Sequence, residues 1–249
     1  DEMTIADYYQ SKTPSMFNFD AGNTEGALIK TAKGSMKASS FVDRMLKYQT
    51  DFSEENPDYI DAPFLTNHDM ARVSNVLQDN EEQMKLAAGL LMTMSGSPFV
   101  YYGEEIGLAS SGQKDENKRL PMIWSKEDTT GECDGPEDAD SDITSEFPAV
   151  DKQEEDPLSL LNYYKRAIRI RNENPEIARG QVEKIDALCI DTEAAITKTW
   201  NDSVIGIVYN TADKDTTIRL SDTALKNMQI RGYLTGDGSE ITLKDGVLS

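Results

Sequence analysis

The feature that most constrains the fold is an alternation of short apolar runs with segments of helical periodicity. Strand-like runs occupy residues 16–19, 62–66 and 98–102. Each is followed by a segment with apolar residues at helical spacing, namely 36–50, 81–93 and 156–171. Because a crossover between parallel strands needs room for a helix, this alternation predicts an α/β fold with parallel strands and helices outside them.

The third helix has a predicted start and a predicted end. Asp156 is a good N-cap residue and directly precedes Pro157, a residue favoured at the first helical position. The dipeptide Asn174-Pro175 predicts where the helix stops. Between the third strand and this helix, residues 112–155 are rich in Asp, Glu, Gly and Ser, which predicts a functional or mobile loop far longer than usual.

After Gly180 the sequence changes to short β-type runs separated by turn formers. These runs are residues 194–199, 204–210, 216–220, 229–234 and 241–243, with turns at 201–202, 212–213 and 237–238. We therefore expect a small antiparallel β domain behind the α/β part, with the boundary near residues 178–181.

The charge of the chain excludes some kinds of partner. With 45 acidic and 25 basic residues, the formal net charge is −20, so the summed field repels phosphate backbones and anionic lipid surfaces. We expect no nucleic-acid partner. The most apolar stretch, residues 86–94, is about half as long as a bilayer-spanning helix needs to be, and we expect no membrane partner either.

The sequence offers little for metal binding or disulfide chemistry. Cys133 and Cys189 are the only cysteines, too few for a disulfide scaffold and without metal-ligand spacing. The acidic run at 133–142 invites a calcium interpretation, but Ala149 occupies the twelfth position counted from Asp138, where a helix-loop-helix site needs a carboxylate. We expect a solvated loop, with no metal site and no cofactor in this chain.

The best candidate for an active site is Asn67-His68-Asp69, where an apolar run ends in polar side chains. His68 is the only histidine of the chain, and the carboxyl ends of parallel strands are where such folds gather functional groups. Position alone leaves an ordinary alternative open: Asp69 could N-cap a helix over residues 70–77 while Arg72 forms a surface ion pair.

Several stretches, in order, resemble one enzyme family. Residues 64–69 (FLTNHD) resemble the last signature motif of the α-amylase family of glycoside hydrolases, a strand ending in Asn-His-Asp. Residues 96–108 (GSPFVYYGEEIGL) resemble its eighth barrel strand, 119–124 (RLPMIW) the segment that follows, and 156–165 (DPLSLLNYYK) its last barrel helix. The resemblance covers residues 16–175 by motif.

The resemblance implies a fold with two parts. Residues 1–178 would be the C-terminal portion of a (β/α)8 TIM barrel, about strands 6 to 8, with a long acidic loop at 109–155. Residues 179–249 would be the small antiparallel β-sandwich domain that follows the barrel. An extracellular or cell-surface location is also what the resemblance favours.

The resemblance assigns roles to the site residues. Retaining enzymes of this kind use a nucleophilic carboxylate and a carboxylic acid about 5 to 5.5 Å apart, and the family adds a third carboxylate. Asp69 would be that third carboxylate, a transition-state stabiliser. His68 would donate a hydrogen bond to the same sugar. Asn67 would bind substrate or, more plausibly, support the turn. Arg72 would bind substrate or pair with Asp69 or a neighbouring acid. Tyr101, Tyr102 and Trp124 could stack on sugars, although strand tyrosines more often belong to a core.

The sequence departs from the family before residue 64, where the motifs of the nucleophilic Asp and the acid Glu do not occur. We therefore expect the chain to lack both groups, to begin after the fifth barrel strand and to be inactive alone. An incomplete barrel exposes strand edges and an apolar interior face, so the expected partners are the missing N-terminal half or a second copy. Calcium would belong to residues upstream.

The expected activity is retaining hydrolysis of α-glucosidic bonds in starch or maltooligosaccharides, with an α-glucan or oligosaccharide as the binding partner. Two alternatives remain open. One is a non-catalytic, amylase-like carbohydrate-binding protein, and the other is a related α-glucosidase or glucosyl-transferring enzyme.

Overall fold

The computed structural model of the chain describes residues 4–249. The helices are α1 (Ile5–Gln10), α2 (Ala27–Ala32), α3 (Ala38–Glu55), α4 (Val73–Val76), α5 (Glu81–Thr93), α6 (Val150–Glu155), α7 (Leu160–Glu173) and α8 (Glu176–Arg179). The strands are β1 (Ser15–Phe17), β2 (Ile60–Ala62), β3 (Gln181–Lys184), β4 (Glu193–Trp200), β5 (Ser203–Asn210), β6 (Ile218–Arg219), β7 (Leu243–Lys244) and β8 (Val247–Leu248).

The strands of the first part run parallel, as the alternation predicts. β1 pairs with β2 in parallel, with Met16 opposite Asp61. The predicted strand at 98–102 is reduced to one parallel bridge between Phe64 and Phe99. Pro63 and Pro98 explain the shortening, because proline has no N–H to donate to a ladder.

Two of the three predicted helices form close to their expected positions. α5 has the predicted bounds, and its N-cap Asn80 accepts a hydrogen bond from the N–H of Gln83 at 3.0 Å. α3 runs five residues past the predicted end at Thr50 because Phe52 continues its buried face. The short helices α1 and α2 were not predicted.

The predicted start of the third helix is wrong. Asp156 follows α6 as its C-cap, and the helix begins at Leu160 with Ser159 as the N-cap. The Ser159 hydroxyl accepts from the N–H of Asn162 at 3.2 Å and donates to the carbonyl of Gln153 at 2.7 Å. The predicted stop is confirmed, since α7 ends directly before Asn174. α6 interrupts the predicted loop, and its polar sequence carries no apolar periodicity that would reveal it.

The C-terminal region forms two antiparallel three-stranded sheets, ordered β3-β4-β5 and β6-β8-β7. β4 and β5 form a hairpin in which Trp200 faces Ser203, and Asn201 adopts a φ of 52° in the predicted turn. The predicted strand at 229–234 is absent from the described residues. Its backbone packs on α7 instead: a Cβ at Gly232 would lie 3.1 Å from the side chain of Ile170. The division into domains at residues 178 and 179 stays a prediction.

A buried lysine joins the β3-β4-β5 sheet to the C-terminal end of α5 and to α8. Lys198 on β4 is fully buried, and its Nζ donates to the carbonyls of Thr93 and Ile177 at 2.9 and 2.7 Å and to Ser95 Oγ at 3.0 Å. Burial lowers the pKa of Lys198 well below its usual range. The ammonium group satisfies the carbonyl of Thr93, the last residue of α5, where a helix has no internal donors left, and that of Ile177 on α8.

Arg171 on α7 continues this arrangement. Its guanidinium donates to the carbonyls of Met92 and Met94 at 2.7 and 2.6 Å, and to that of Gly96 at 2.5 Å. Lys198 and Arg171 therefore both hold the short connection between α5 and Phe99, the residue that pairs with Phe64.

Replacing Lys198 by Ala should destabilise the protein, because two buried carbonyls and a hydroxyl lose their donor and a cavity remains. The expected loss is about 2 to 4 kcal/mol in the free energy of unfolding, measured by chemical denaturation. The matched control Lys214→Ala removes an exposed lysine of the same region. Equal unfolding midpoints for the two variants would show that the buried contacts contribute nothing.

Candidate functional site

The Asn67-His68-Asp69 turn follows the parallel strands and exposes the side chains of His68 and Asp69. Asn67 Oδ1 accepts from the N–H of Asp69 at 2.9 Å, and the Asn67 carbonyl accepts from Met70 at 3.4 Å. The side chains of His68 and Asp69 are 59% and 60% exposed, and His68 Nε2 lies 3.3 Å from Asp69 Oδ1. Asn67 thus makes a contact that supports the turn, and its binding of substrate stays a prediction.

The ordinary alternative for Asp69 is wrong. The predicted helix over residues 70–77 is reduced to α4, and its N-cap is Arg72 rather than Asp69. The carboxylate of Asp69 is therefore not used in capping.

Two cationic residues from the segment Lys118–Leu120 hold the turn. Arg119 Nη2 donates to Asp69 Oδ1 at 3.1 Å, and Arg119 Nε donates to the carbonyl of His68 at 3.2 Å. Lys118 Nζ donates to the carbonyl of Asp69 at 3.0 Å and pairs with Asp115 at 2.9 Å. Sequence reasoning recognised the RLPMIW motif but did not single out these contacts, because fifty residues separate Arg119 from Asp69.

Arg72 lies on the buried side of the site, not in it. It is 1% exposed, its N–H donates to Ser110 Oγ at 3.1 Å, and its Nη1 donates to the carbonyl of Tyr102 at 2.5 Å. The predicted pairing of Arg72 with Asp69 is wrong, since Arg119 takes that place. A direct contact of Arg72 with substrate does not fit its burial.

Tyr101 and Tyr102 make contacts through both their rings and their hydroxyls. The Arg72 guanidinium lies over the rings of Tyr101 and Tyr102, 4.6 and 4.7 Å from their centroids. The Tyr101 hydroxyl donates to the carbonyl of Lys118 at 3.1 Å, and that of Tyr102 to Leu120 at 2.8 Å. These groups are structural partners of the segment that holds Asp69. Trp124 is exposed, and its stacking on sugars stays a prediction.

Glu104 is a buried acid next to this tyrosine pair. The hydroxyl of Tyr164 donates to Glu104 Oε1 at 2.9 Å, while Glu104 Oε2 has no partner among residues 4–249. Burial raises the pKa of Glu104 to about 8, with the neighbouring charge of Glu105 acting in the same direction. The carboxyl group is therefore mostly protonated at neutral pH.

An apolar, aromatic face accompanies the parallel strands. Phe17 contacts Phe99 and Phe64 with ring centroids 4.8 and 5.6 Å apart, and Phe19 contacts Phe64 at 5.0 Å. Phe17 and Phe99 are nevertheless 44% and 50% exposed. Clustered exposed aromatic rings are typical of a surface that another segment covers.

Among residues 4–249, no group of three or more His, Cys, Asp or Glu side chains could hold a metal ion. Calcium elsewhere in the protein stays a prediction from the family resemblance. Within the same range, no helix is long and apolar enough to cross a membrane.

The comparisons with known proteins agree on one family. The family model described as alpha amylase, catalytic domain, matches residues 1–180. Alpha-amylase SusG of Bacteroides thetaiotaomicron is 31% identical over an alignment of 251 positions that covers 97% of this chain and 35% of the relative. Alpha-amylase 3 of Dictyoglomus thermophilum is 32% identical over an alignment of 200 positions that covers 74% of this chain and 36% of the relative.

A solved structure shows the same fold. The structure titled Eubacterium rectale Amy13B superposes with a TM-score of 0.88 at 33% identity, over 98% of this chain and 48% of that one. The chain thus spans about half the length of that structure and about a third of the curated relatives.

These matches define the class of the protein, which is a portion of a glycoside hydrolase barrel followed by a small β domain. The sequence predicts the same fold. The chain belongs to the α-amylase family.

The raised pKa of Glu104 predicts how the free energy of unfolding depends on pH. Because the folded-state pKa is raised from 4.5 to about 8, the folded protein binds more protons than the unfolded one, and the contribution of Glu104 to stability is lost as pH rises through 8. The glutamine side chain of Glu104→Gln does not titrate. The free energy of unfolding of the variant, relative to that of wild type, should therefore rise as the pH is raised from 6 to about 9. The exposed control Glu137→Gln should show no such trend. A constant difference for Glu104→Gln across that range would contradict the assignment.

Proposed function

We propose that this chain supplies one wall of a retaining glycosidase site that hydrolyses α-glucosidic bonds in starch or maltooligosaccharides. The single observation that carries the proposal is the Asn67-His68-Asp69 turn, exposed after the parallel strands and held by Arg119. Two relatives are named alpha-amylases, which supports an α-glucan as substrate.

The proposed role of Asp69 follows from the chemistry of the reaction. Cleavage passes through an oxocarbenium-like transition state whose positive charge a fixed carboxylate stabilises. Asp69 would hold sugar hydroxyls and stabilise this charge, while Arg119 keeps one carboxylate oxygen in a fixed direction. His68 would donate a hydrogen bond to the same sugar ring, which a neutral imidazole can do with the right tautomer.

The remaining chemistry belongs to other residues. We propose that a nucleophilic Asp and an acid Glu are contributed by a complementary barrel segment outside residues 1–249, and that the chain alone has no turnover. An upstream coding sequence with both carboxylates in the family's central motifs would support an enzyme. Their absence would favour a carbohydrate-binding protein instead.

Replacing Asp69 by Asn in the full-length protein tests the role of Asp69. The variant loses the negative charge but keeps the shape, so kcat on maltooligosaccharides should fall on the order of 10²- to 10³-fold. The control is Asp138→Asn in the acidic loop, which should leave kcat unchanged. Near-normal turnover of the Asp69 variant would contradict the role. Products longer than the starting maltooligosaccharide would identify glucosyl transfer as the reaction.

The open strand edges make a prediction about assembly. Among the described strands, β1 pairs only with β2, and β2 is followed by the Phe64–Phe99 bridge, so both outer edges of the parallel set lack a neighbour. We propose that the complementary barrel segment covers these edges together with Phe17 and Phe99.

Sedimentation velocity measures this assembly. Residues 1–249 alone should dimerise or aggregate, and co-expression with the preceding barrel segment should suppress that self-association. A clean monomer of residues 1–249 would contradict the proposal.

A further inference from the structure

We propose that Arg72 is a positioning residue: together with Tyr101 and Tyr102 it holds the segment Lys118–Leu120 against Asp69. This inference rests on the proposed function for its catalytic consequence, although its structural consequence can be measured separately. It concerns a group that does not touch substrate.

The first step is the placement of the guanidinium. Arg72 is buried, with 1% exposure, and its guanidinium carbon Cζ lies 4.6 and 4.7 Å from the centroids of the Tyr101 and Tyr102 rings. The two rings meet edge to face at 4.8 Å. A planar cation over aromatic faces is attracted by the negative charge of the ring faces, and more strongly where water is excluded. Arg72 therefore fixes the orientation of both rings.

The backbone leaves room for this arrangement at Gly103. Gly103 has a φ of 83°, and a Cβ there would lie 3.0 Å from Arg72 Nη1. Nη1 donates to the carbonyl of Tyr102 at 2.5 Å. Lysine could not reproduce this set of contacts, because its ammonium group has no planar face to lie over the two rings.

The two oriented tyrosines in turn bind the segment Lys118–Leu120. The hydroxyls of Tyr101 and Tyr102 donate to the carbonyls of Lys118 and Leu120, on either side of Arg119. Arg119 is therefore fixed through the backbone on both sides. Its side chain then reaches Asp69 Oδ1 at 3.1 Å.

The third step closes the chain of contacts. Lys118 donates to the carbonyl of Asp69 and Arg119 to that of His68. Arg72 follows Asp69 by three residues, so the network starts and ends on the same short segment. Because Asp69 is 60% exposed, these contacts define where its carboxylate points. A transition-state stabiliser displaced by about 1 Å loses much of its effect.

The test uses two variants of the full-length protein that remove different steps. Tyr102→Phe keeps the ring and removes one hydroxyl, and should lower kcat on maltooligosaccharides about fivefold to tenfold with little change in KM. Arg72→Lys keeps the charge and loses the stacking, and should lower kcat more, on the order of 10²-fold. The controls are Tyr233→Phe, an exposed tyrosine, and Arg166→Lys, an arginine beside Tyr163.

A double mutant separates positioning from a general loss of stability. If Tyr102 acts through Arg119, the variant Tyr102→Phe/Arg119→Gln should lose no more kcat than Arg119→Gln alone. Additive losses, or full kcat in Arg72→Lys, would overturn the proposal.

Hydrogen exchange gives a readout that needs no activity. The amides of Lys118 and Arg119 donate to the carbonyls of Asp115 and Glu116, and they should exchange faster in Arg72→Lys and Tyr102→Phe but not in the two controls. Unchanged exchange in both variants would overturn the proposal. If the wild-type protein has no activity on α-glucans while the exchange changes as expected, the proposed function fails and the positioning of the segment is upheld.

Discussion

Parallel pairing of the strands is the constraint on which the site depends. The pairing of β1 with β2 and of Phe64 with Phe99 brings strand ends to one edge, where Asn67, His68 and Asp69 follow. The approach is close: Gly96 has a φ of 83°, and a Cβ there would lie 2.1 Å from the carbonyl oxygen of Asp61. Only glycine is compatible with this geometry. Lys198 and Arg171 fix the same connection from the side of the helices and the β sheet.

The residues of the proposed site lie in an exposed group and a buried group. The side chains of Asp69 and His68 are exposed, and Arg119 and Lys118 hold their turn in place. Arg72 and the tyrosine pair lie on the buried side and hold the segment Lys118–Leu120. This arrangement explains why the exposed carboxylate of Asp69 has a defined direction.

The sequence predicted those parts of the structure that short-range patterns control. The helical periodicity of α5 and the Asn-His-Asp turn are local, and both were located correctly. Arg72 was misplaced because spacing assumed a helix from residue 70, whereas α4 begins only at Val73. Arg119 and Lys198 were missed for a different reason. Arg119 lies fifty residues from Asp69, and the partners of Lys198 lie 21 to 105 residues away. A lysine in a strand is also ordinarily exposed. Such contacts exist only after the chain has folded.

The central claim is that Asp69, held by Arg119, forms the sugar-facing wall of the site. A crystal structure of the full-length protein with a bound maltooligosaccharide tests it most directly. The account predicts that a carboxylate oxygen of Asp69 lies within about 3 Å of a sugar hydroxyl, with Arg119 still on Asp69 and Arg72 out of contact with the sugar. A sugar that contacts Arg72, or that binds away from Asp69, would contradict it.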